Sequence, residues 1–184
     1  MREVLRKIIA DPTYQRNIEY GQPRPGHPEG KVRFHIRDLE SHLEELTRRG
    51  ISSDDYWKLK FLIHVHDTFK AESEQDVPIL HPRSHATLAK EYASQYTDDT
   101  DLLNIIQFHD QNYFLWKDFL QTGSYDKEAL HSLLNMIQNL DLFLMFTIID
   151  GRTKGKDRSK LIWFIEEVRK YKKTVVDKSW VAPF

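Results

Sequence analysis

The sequence predicts an all-α fold, arranged as a single domain of six to seven helices over residues 1–184. Apolar residues recur every three to four positions through most of the chain, as they do on one face of an amphipathic helix. Convincing alternation of apolar and polar residues, which would indicate strands, is absent. Proline and glycine are sparse, and four of the seven prolines fall within residues 12–28. These observations favour helices joined by short loops.

The elements follow one another in a simple order. A short first helix precedes an irregular, proline-rich lead-in. Gly50 is expected to end the first long helix, and Ser52 or Ser53 to cap the next one. Helices are predicted over residues 31–49, 54–68, 84–96, 100–120, 126–149 and 157–173.

Composition excludes several classes of function. Apolar residues make up 40% and charged residues 30% of the chain, which is typical of a folded globular protein. The net charge of -1 provides no strong nucleic-acid signal and no global attraction to an anionic membrane. The absence of cysteine excludes disulfides, thiolate zinc sites and a cysteine nucleophile. The longest apolar run, residues 142–149, is too short to cross a bilayer, so a cytoplasmic protein is expected.

Four histidines fall on the predicted core side of four successive helices: His35, His66, His85 and His109. A single histidine on an apolar face is usually a hydrogen-bonded core residue. Four of them, with Asp67 directly after His66, are harder to explain in that way. Burying several imidazoles and a carboxylate costs desolvation free energy, and a bound cation offsets that cost. The joint pattern therefore favours a metal site.

The His66–Asp67 doublet limits where the metal ion could lie. Neighbouring residues of a helix diverge by about 100°, so both can bind one ion only off the helix end or between their directions. A third ligand must come from another helix, and His35 is the best-placed candidate. Imidazole and carboxylate ligands suit a divalent Mn, Fe, Co, Ni or Zn ion better than Mg.

Several segments together resemble the HD superfamily of metal-dependent phosphohydrolases. These segments are GHPEGKVRFH, HVHDTFK, HPRSHATLAKEYA, FHD and IIDGRTKG. The HPEG lead-in and the D-G-R ending are most similar to the HD domain of tRNA nucleotidyltransferases. The resemblance covers an HD-type core of about residues 27–155, followed by a C-terminal helix at about 157–173, and implies a helical HD-type domain.

The resemblance also implies roles for individual residues. His35, His66, Asp67 and Asp150 match the metal ligands. His85 and His109 match residues that line the site or hold a second metal in some members, although His109-Asp110 stands where many members have paired histidines.

Three further positions concern the phosphate and the last ligand. Lys70 of the H-D-x-x-K motif matches a lysine near the substrate phosphate, and Arg152 could orient a phosphate beside Asp150. Asp141 is the alternative to Asp150 as last ligand. The two lie nine residues apart, on opposite faces of an ideal helix, and the D-G-R context favours Asp150.

The expected function is hydrolysis of a phosphate ester of a nucleotide or a similar small metabolite. Asp67 would bind the ion and orient the attacking water, and Lys70 would stabilise charge on the phosphate oxygens. The alternative is a non-catalytic, metal- or nucleotide-binding regulatory module of the same fold. The sequence does not indicate the oligomeric state.

Overall fold

The structure is a computed structural model that describes residues 1–25 and 28–182. Within these ranges it contains ten α-helices and one 3₁₀ helix, and no β-strand. The all-α prediction for a single domain is therefore confirmed. The helices are α1 Arg2–Ala10, α2 Pro12–Asn17, α3 Val32–Thr47, α4 Ser53–Val65, α5 His85–Ala93, α6 Thr100–Phe108, α7 Gln111–Thr122, α8 Lys127–Met136, α9 Leu140–Gly151 and α10 Ser159–Arg169, with the 3₁₀ helix at Lys178–Val181.

Part of the predicted lead-in is helical. The carboxylate of Asp11 accepts hydrogen bonds from the backbone N–H of Thr13 (2.7 Å) and Tyr14 (3.2 Å), which caps α2. Pro12 stands at the first position of this helix, where its missing N–H costs nothing. His27, within the lead-in motif, lies outside the described residues.

Two predicted long helices are each divided in two. The carboxylate of Asp101 on α6 accepts hydrogen bonds from the backbone N–H of Gln138 (2.7 Å) and Asn139 (2.9 Å). These bonds hold the turn between α8 and α9 away from helical geometry. The segment predicted over 100–120 breaks at His109 and Asp110, which become the junction between α6 and α7.

The core is built around α4 and α9. Residues 142–149 of α9 are all buried, so this helix is apolar on every side. It packs against α3, α4 and α10, while α4 also contacts α6. Ser52 caps α4 by accepting a hydrogen bond from the backbone N–H of Asp55. Gly50 adopts a left-handed conformation between α3 and α4.

Two side-chain hydrogen bonds in series anchor α2 to α4 and α3. The Tyr14 hydroxyl lies 2.5 Å from Nδ1 of His64, and Nε2 of His64 lies 3.2 Å from a carboxylate oxygen of Glu40. Because a carboxylate can only accept, Nε2 donates to Glu40, and in the neutral ring Nδ1 accepts from Tyr14. The N-terminal helices are therefore tied to the core.

The segment between α2 and α3 is closed by backbone contacts. The N–H of Val32 donates to the carbonyl of Tyr20 (2.9 Å). Gly21 has a φ of +116°, and a Cβ there would lie 2.4 Å from the carbonyl oxygen of Gly30. Glycine is therefore required at this close approach. We call residues 18–25 the N-terminal strap.

No single helix within the two described ranges is long and apolar enough to cross a membrane. Only α8 and α9 taken together reach that length and apolarity, and they are bent by 116° relative to each other.

Candidate metal centre

The end of α4 positions the His66–Asp67 doublet. The N–H of His66 still donates to the carbonyl of Leu62 (3.1 Å), but the N–H of Thr68 donates to Val65, three residues back. This tighter turn directly after the helix lets neighbouring side chains point to one region. The sequence allowed an ion either off this helix end or between the directions of the two side chains, and the doublet does lie at the end of α4.

Backbone carbonyls orient the His66 ring. Its Nδ1 lies 3.1 Å from the carbonyl oxygen of Leu62 and 3.2 Å from that of Ile63. Since a carbonyl only accepts, Nδ1 carries the proton and Nε2 presents its lone pair. That Nε2 is buried and has no hydrogen-bond partner among the described residues.

A first group of ligand atoms comes from α3, α4 and α9. His35, His66 and Asp150 each offer one atom, and the three atoms lie within 4.8 Å of one another. Nε2 of His35 is 3.1 Å from Oδ1 of Asp150 and 3.7 Å from Oδ2 of Asp67. The structure therefore brings together all four residues that the sequence suggested as ligands.

A second group lies on the other side of Asp67. Asp67, His85 and His109 also offer atoms within 4.8 Å of one another. Oδ1 of Asp67 is 3.7 Å from Nε2 of both histidines. Oδ2 of Asp110 is 3.3 Å from Nε2 of His85 and 3.5 Å from Nε2 of His109. The helix break at Asp110 thus adds a carboxylate to this group.

Asp67 is shared between the two groups. Its Oδ2 lies 3.4 Å from Nε2 of His66, in the first group, while Oδ1 faces the second. Oδ1 is buried and lacks a hydrogen bond to any residue that the structure describes. Buried polar atoms normally have a partner, so the orphaned Asp67 and His66 atoms fit a bound cation. The donor set of imidazoles and carboxylates fits a first-row divalent ion.

Electrostatics at the second group favour positive charge. Burial alone lowers the pKa of His109, but the carboxylates of Asp110 and Asp67 outweigh it and raise that pKa to about 9. Burial raises the pKa of Asp110, whereas His109 and His85 lower it more, to well below its usual range. A cation at this position is therefore stabilised by the surrounding carboxylates.

Two lysines contact the carboxylates of the cluster. Lys70 Nζ donates to Oδ2 of Asp67, and Lys156 Nζ lies 2.9 Å from Oδ1 and 3.1 Å from Oδ2 of Asp150. Burial raises the pKa of Asp150, but Lys156 and His35 outweigh it and hold that pKa well below its usual range. Lys70, expected beside a substrate phosphate, thus contacts a metal-ligand candidate directly.

Two other predicted positions lie away from the cluster. Nη2 of Arg152 pairs with a carboxylate oxygen of Glu45 at 2.6 Å, and Arg152 does not line the cavity described below. Asp141 accepts hydrogen bonds from the hydroxyl of Thr174 and the backbone N–H of Val175. Of the two aspartates of α9, the structure therefore brings Asp150 to the histidines.

Sequence reasoning missed several residues around the cluster. Glu29, in the HPEG motif, lies 3.1 Å from Nδ1 of His35, where a carboxylate orients a ligand imidazole. The sequence indicated Asp110 only as the residue that follows His109, and gave it no role of its own. Lys156 and Lys160 belong to a basic segment without a motif, and nothing in their spacing indicates that they reach the cluster.

The cluster forms part of the lining of a large cavity. Its volume is about 1580 Å³, and both ligand groups line it together with α7, α10 and the N-terminal strap. Lys160 of α10 also lines it, and burial lowers the pKa of this lysine. The space exceeds the roughly 300–1,000 Å³ of ordinary ligand pockets, so it can hold a substrate in addition to metal ions.

The chain was compared with protein-family models, with curated proteins and with solved structures, and none of the three comparisons found a match.

Proposed function

We propose that this chain is an HD-type metal-dependent phosphohydrolase that acts on a phosphate ester of a nucleotide or a similar small phosphorylated metabolite. The observation that carries the proposal is the position of Asp67, whose two carboxylate oxygens face two separate groups of candidate ligands. Such an arrangement would allow Asp67 to serve as a ligand in both groups if each held a divalent ion. The ordered motifs of the sequence support the same function.

Each group would have its own ligands and share Asp67. His35, His66 and Asp150 would hold one ion, and His85, His109 and Asp110 the other. Divalent ions in such a site supply Lewis acidity toward a phosphoryl oxygen and a water that is deprotonated near neutral pH.

The protein side chains would position the reactants. Glu29 holds the ring of His35 in a fixed orientation, as the backbone carbonyls do for His66. Asp67 would orient the attacking water, and the lysines of the cavity would stabilise charge on the phosphate oxygens. Burial of His66 and Asp67 limits the water around them, which strengthens these electrostatic interactions.

Metal analysis and a hydrolysis assay test the proposal. Protein supplied with Mn²⁺, Fe²⁺, Co²⁺, Ni²⁺ or Zn²⁺ should bind about two ions per chain and hydrolyse p-nitrophenyl phosphate or its diester. Asp67→Asn should lose both properties, because the shared carboxylate belongs to both groups. Asp118→Asn, an exposed position on α7, is the matched control and should retain them.

The results of the metal analysis and the hydrolysis assay distinguish an enzyme from a non-catalytic binding module. Metal-loaded protein that hydrolyses neither these esters nor any of a set of phosphorylated metabolites would favour the non-catalytic regulatory module. Absence of metal binding under all conditions would contradict the hydrolase and a metal-binding module, and would leave only the nucleotide-binding form of the alternative.

A further inference from the structure

Lys160 lines the cavity and has no anionic partner among the described residues. Lys70 and Lys156 contact Asp67 and Asp150, respectively, whereas Lys160 makes no hydrogen bond or ion pair with any residue in the described part of the chain. Its ammonium lies 5.6 Å from the centre of the Tyr113 ring, within the range of a cation–π interaction. A partly buried, unpaired ammonium beside a metal cluster is suited to bind an anionic ligand.

The neighbouring face of α7 is aromatic and open to the cavity. Tyr113 and Phe114 both line the cavity, and they are 44% and 39% exposed. Their ring centres are 5.6 Å apart, at an angle of 66°. Large aromatic side chains left exposed inside a cavity are typical of ligand-binding walls.

Two other aromatic side chains of α7 are packed against α10. Trp116 and Phe119 contact Trp163 of α10, with ring centres 5.3 Å and 5.1 Å apart. This aromatic contact holds α7 against α10, which also carries Lys160. The orientation of Tyr113 relative to Lys160 is therefore fixed by the packing of the two helices, and it does not depend on a mobile loop.

We propose that Lys160, together with the aromatic pair Tyr113 and Phe114, forms a binding site for an aromatic phosphate ester at the mouth of the metal cluster. Lys160 binds an oxygen of the phosphate, and the two rings contact the planar group attached to it. This inference deepens the proposed function and rests on it, since the phosphate is the group placed next to the metal ions.

Three features of the cavity support this occupant. Lys160 lines the same cavity as Asp110 and Asp150 of the cluster, and its ammonium lies 5.6 Å from the centre of the Tyr113 ring. Lys117, one turn after Phe114, adds a second cation to the same wall. Aromatic side chains contact planar rings favourably through stacked or edge-to-face geometry. In a phosphate joined to an aromatic ring, the phosphate can contact Lys160 while the ring contacts Tyr113 and Phe114.

Binding of two phosphonates tests the site without turnover. Phenylphosphonate and methylphosphonate carry the same anionic group, and their carbon–phosphorus bonds are not phosphate ester bonds. Titration calorimetry with Mn²⁺-loaded protein should give a Kd for phenylphosphonate about tenfold lower than for methylphosphonate. Equal dissociation constants for the two probes would overturn the aromatic part of the proposal.

Variants separate the two parts of the site. Tyr113→Ala combined with Phe114→Ala should remove the advantage of phenylphosphonate and leave methylphosphonate binding unchanged. Both side chains are exposed, so their truncation does not open the core. Tyr171→Ala, an equally exposed tyrosine that does not line the cavity, is the control and should preserve the advantage.

Lys160→Gln should weaken binding of both probes about tenfold, and Lys160→Arg should restore most of the affinity. Lys154→Gln is the control, because Lys154 is exposed and does not line the cavity. Unchanged methylphosphonate binding in Lys160→Gln would show that this lysine does not bind the phosphate group.

The outcomes also separate this inference from the proposed function. Preferential phenylphosphonate binding that depends on Tyr113 and Lys160, without hydrolysis of phenyl phosphate, would support the binding site and contradict the hydrolase. Hydrolysis of phenyl phosphate with equal affinities for both phosphonates would support the hydrolase and contradict the binding site.

Discussion

The two aspartates of α9 have carboxylates in different surroundings. Asp150 lies 3.1 Å from His35 and is paired with Lys156, whereas Asp141 is bonded to Thr174 and the backbone of Val175. Their nine-residue separation turns one toward the histidines and the other toward the segment after α10. Asp150 therefore faces the histidine cluster, and Asp141 holds the segment after α10.

Asp150→Asn should weaken Mn²⁺ binding by at least about tenfold, since a neutral amide is a poorer ligand than a carboxylate. Asp141→Asn is the matched control on the same helix and should bind Mn²⁺ with wild-type affinity. Calorimetric titration of both variants measures the difference. Similar affinities for the two variants would show that Asp150 is not a ligand.

The residues of the cluster differ in how well the sequence indicates them. His35, His66, His85 and His109 could be found because they share the spacing of their apolar neighbours, which shows that they face the core. Asp110 could not, since its role depends on a helix break that periodicity does not reveal. Lys156 and Lys160 could not be found for another reason: long flexible side chains reach a site from positions that carry no pattern.

Among the secondary-structure elements, the turn between α8 and α9 depends on one side chain of α6. Asp101→Ala removes the acceptor for the backbone N–H of Gln138 and of Asn139. We expect the free energy of unfolding to fall by about 1–2 kcal/mol. Denaturant unfolding of Asp98→Ala, at an exposed position close by, provides the comparison and should change little. Equal stability of the two variants would mean that the turn does not need Asp101.

The contact between α3 and α4 predicts a pH dependence of stability. The hydrogen bond from His64 and the charge of Lys60 lower the pKa of Glu40 from 4.5 to about 2. A carboxyl group with a lowered pKa in the folded state stabilises the fold above its unfolded pKa, and that contribution is lost as pH falls. Glu40→Gln should therefore be less stable than wild type at neutral pH.

The difference between Glu40→Gln and wild type should shrink as pH falls from about 4.5 to 2. Unfolding curves at several pH values measure it. A difference in the free energy of unfolding that stays constant over this pH range would show that the charge of Glu40 does not contribute to stability.

For the whole molecule, a metal bound between α3, α4 and α9 should stabilise the fold. Ligand that binds only the folded state at 100 times its Kd raises the free energy of unfolding by about 2.7 kcal/mol. Mn²⁺ should therefore raise the Tm, and a chelator should reverse the increase. Asp67→Asn should show no such shift, and a full shift in that variant would place the ion elsewhere.

The division of the fold into helices shows what periodicity predicts and what it omits. The all-α class and the positions of most helical segments could be read from apolar spacing alone. The breaks at residues 109–110 and 138–139 could not be read from it. The second break depends on a tertiary contact, the hydrogen bonds that Asp101 accepts from the backbone of residues 138 and 139. Residues 12–17 were missed because a proline-rich segment resembles a loop, although Asp11 and Pro12 begin a helix.

The lysine contacts of Asp67 and Asp150 bear on the order in which ligands arrive. These ammonium groups balance the negative charge of carboxylates that divalent ions could also neutralise. Two divalent ions, as in the proposed function, would add four positive charges, and Lys70 and Lys156 would then lose the interactions that hold them. The region would then carry excess positive charge, which an incoming anion would help to relieve. We therefore expect the phosphate to bind more tightly after the cations than before them, which favours an ordered sequence of encounters.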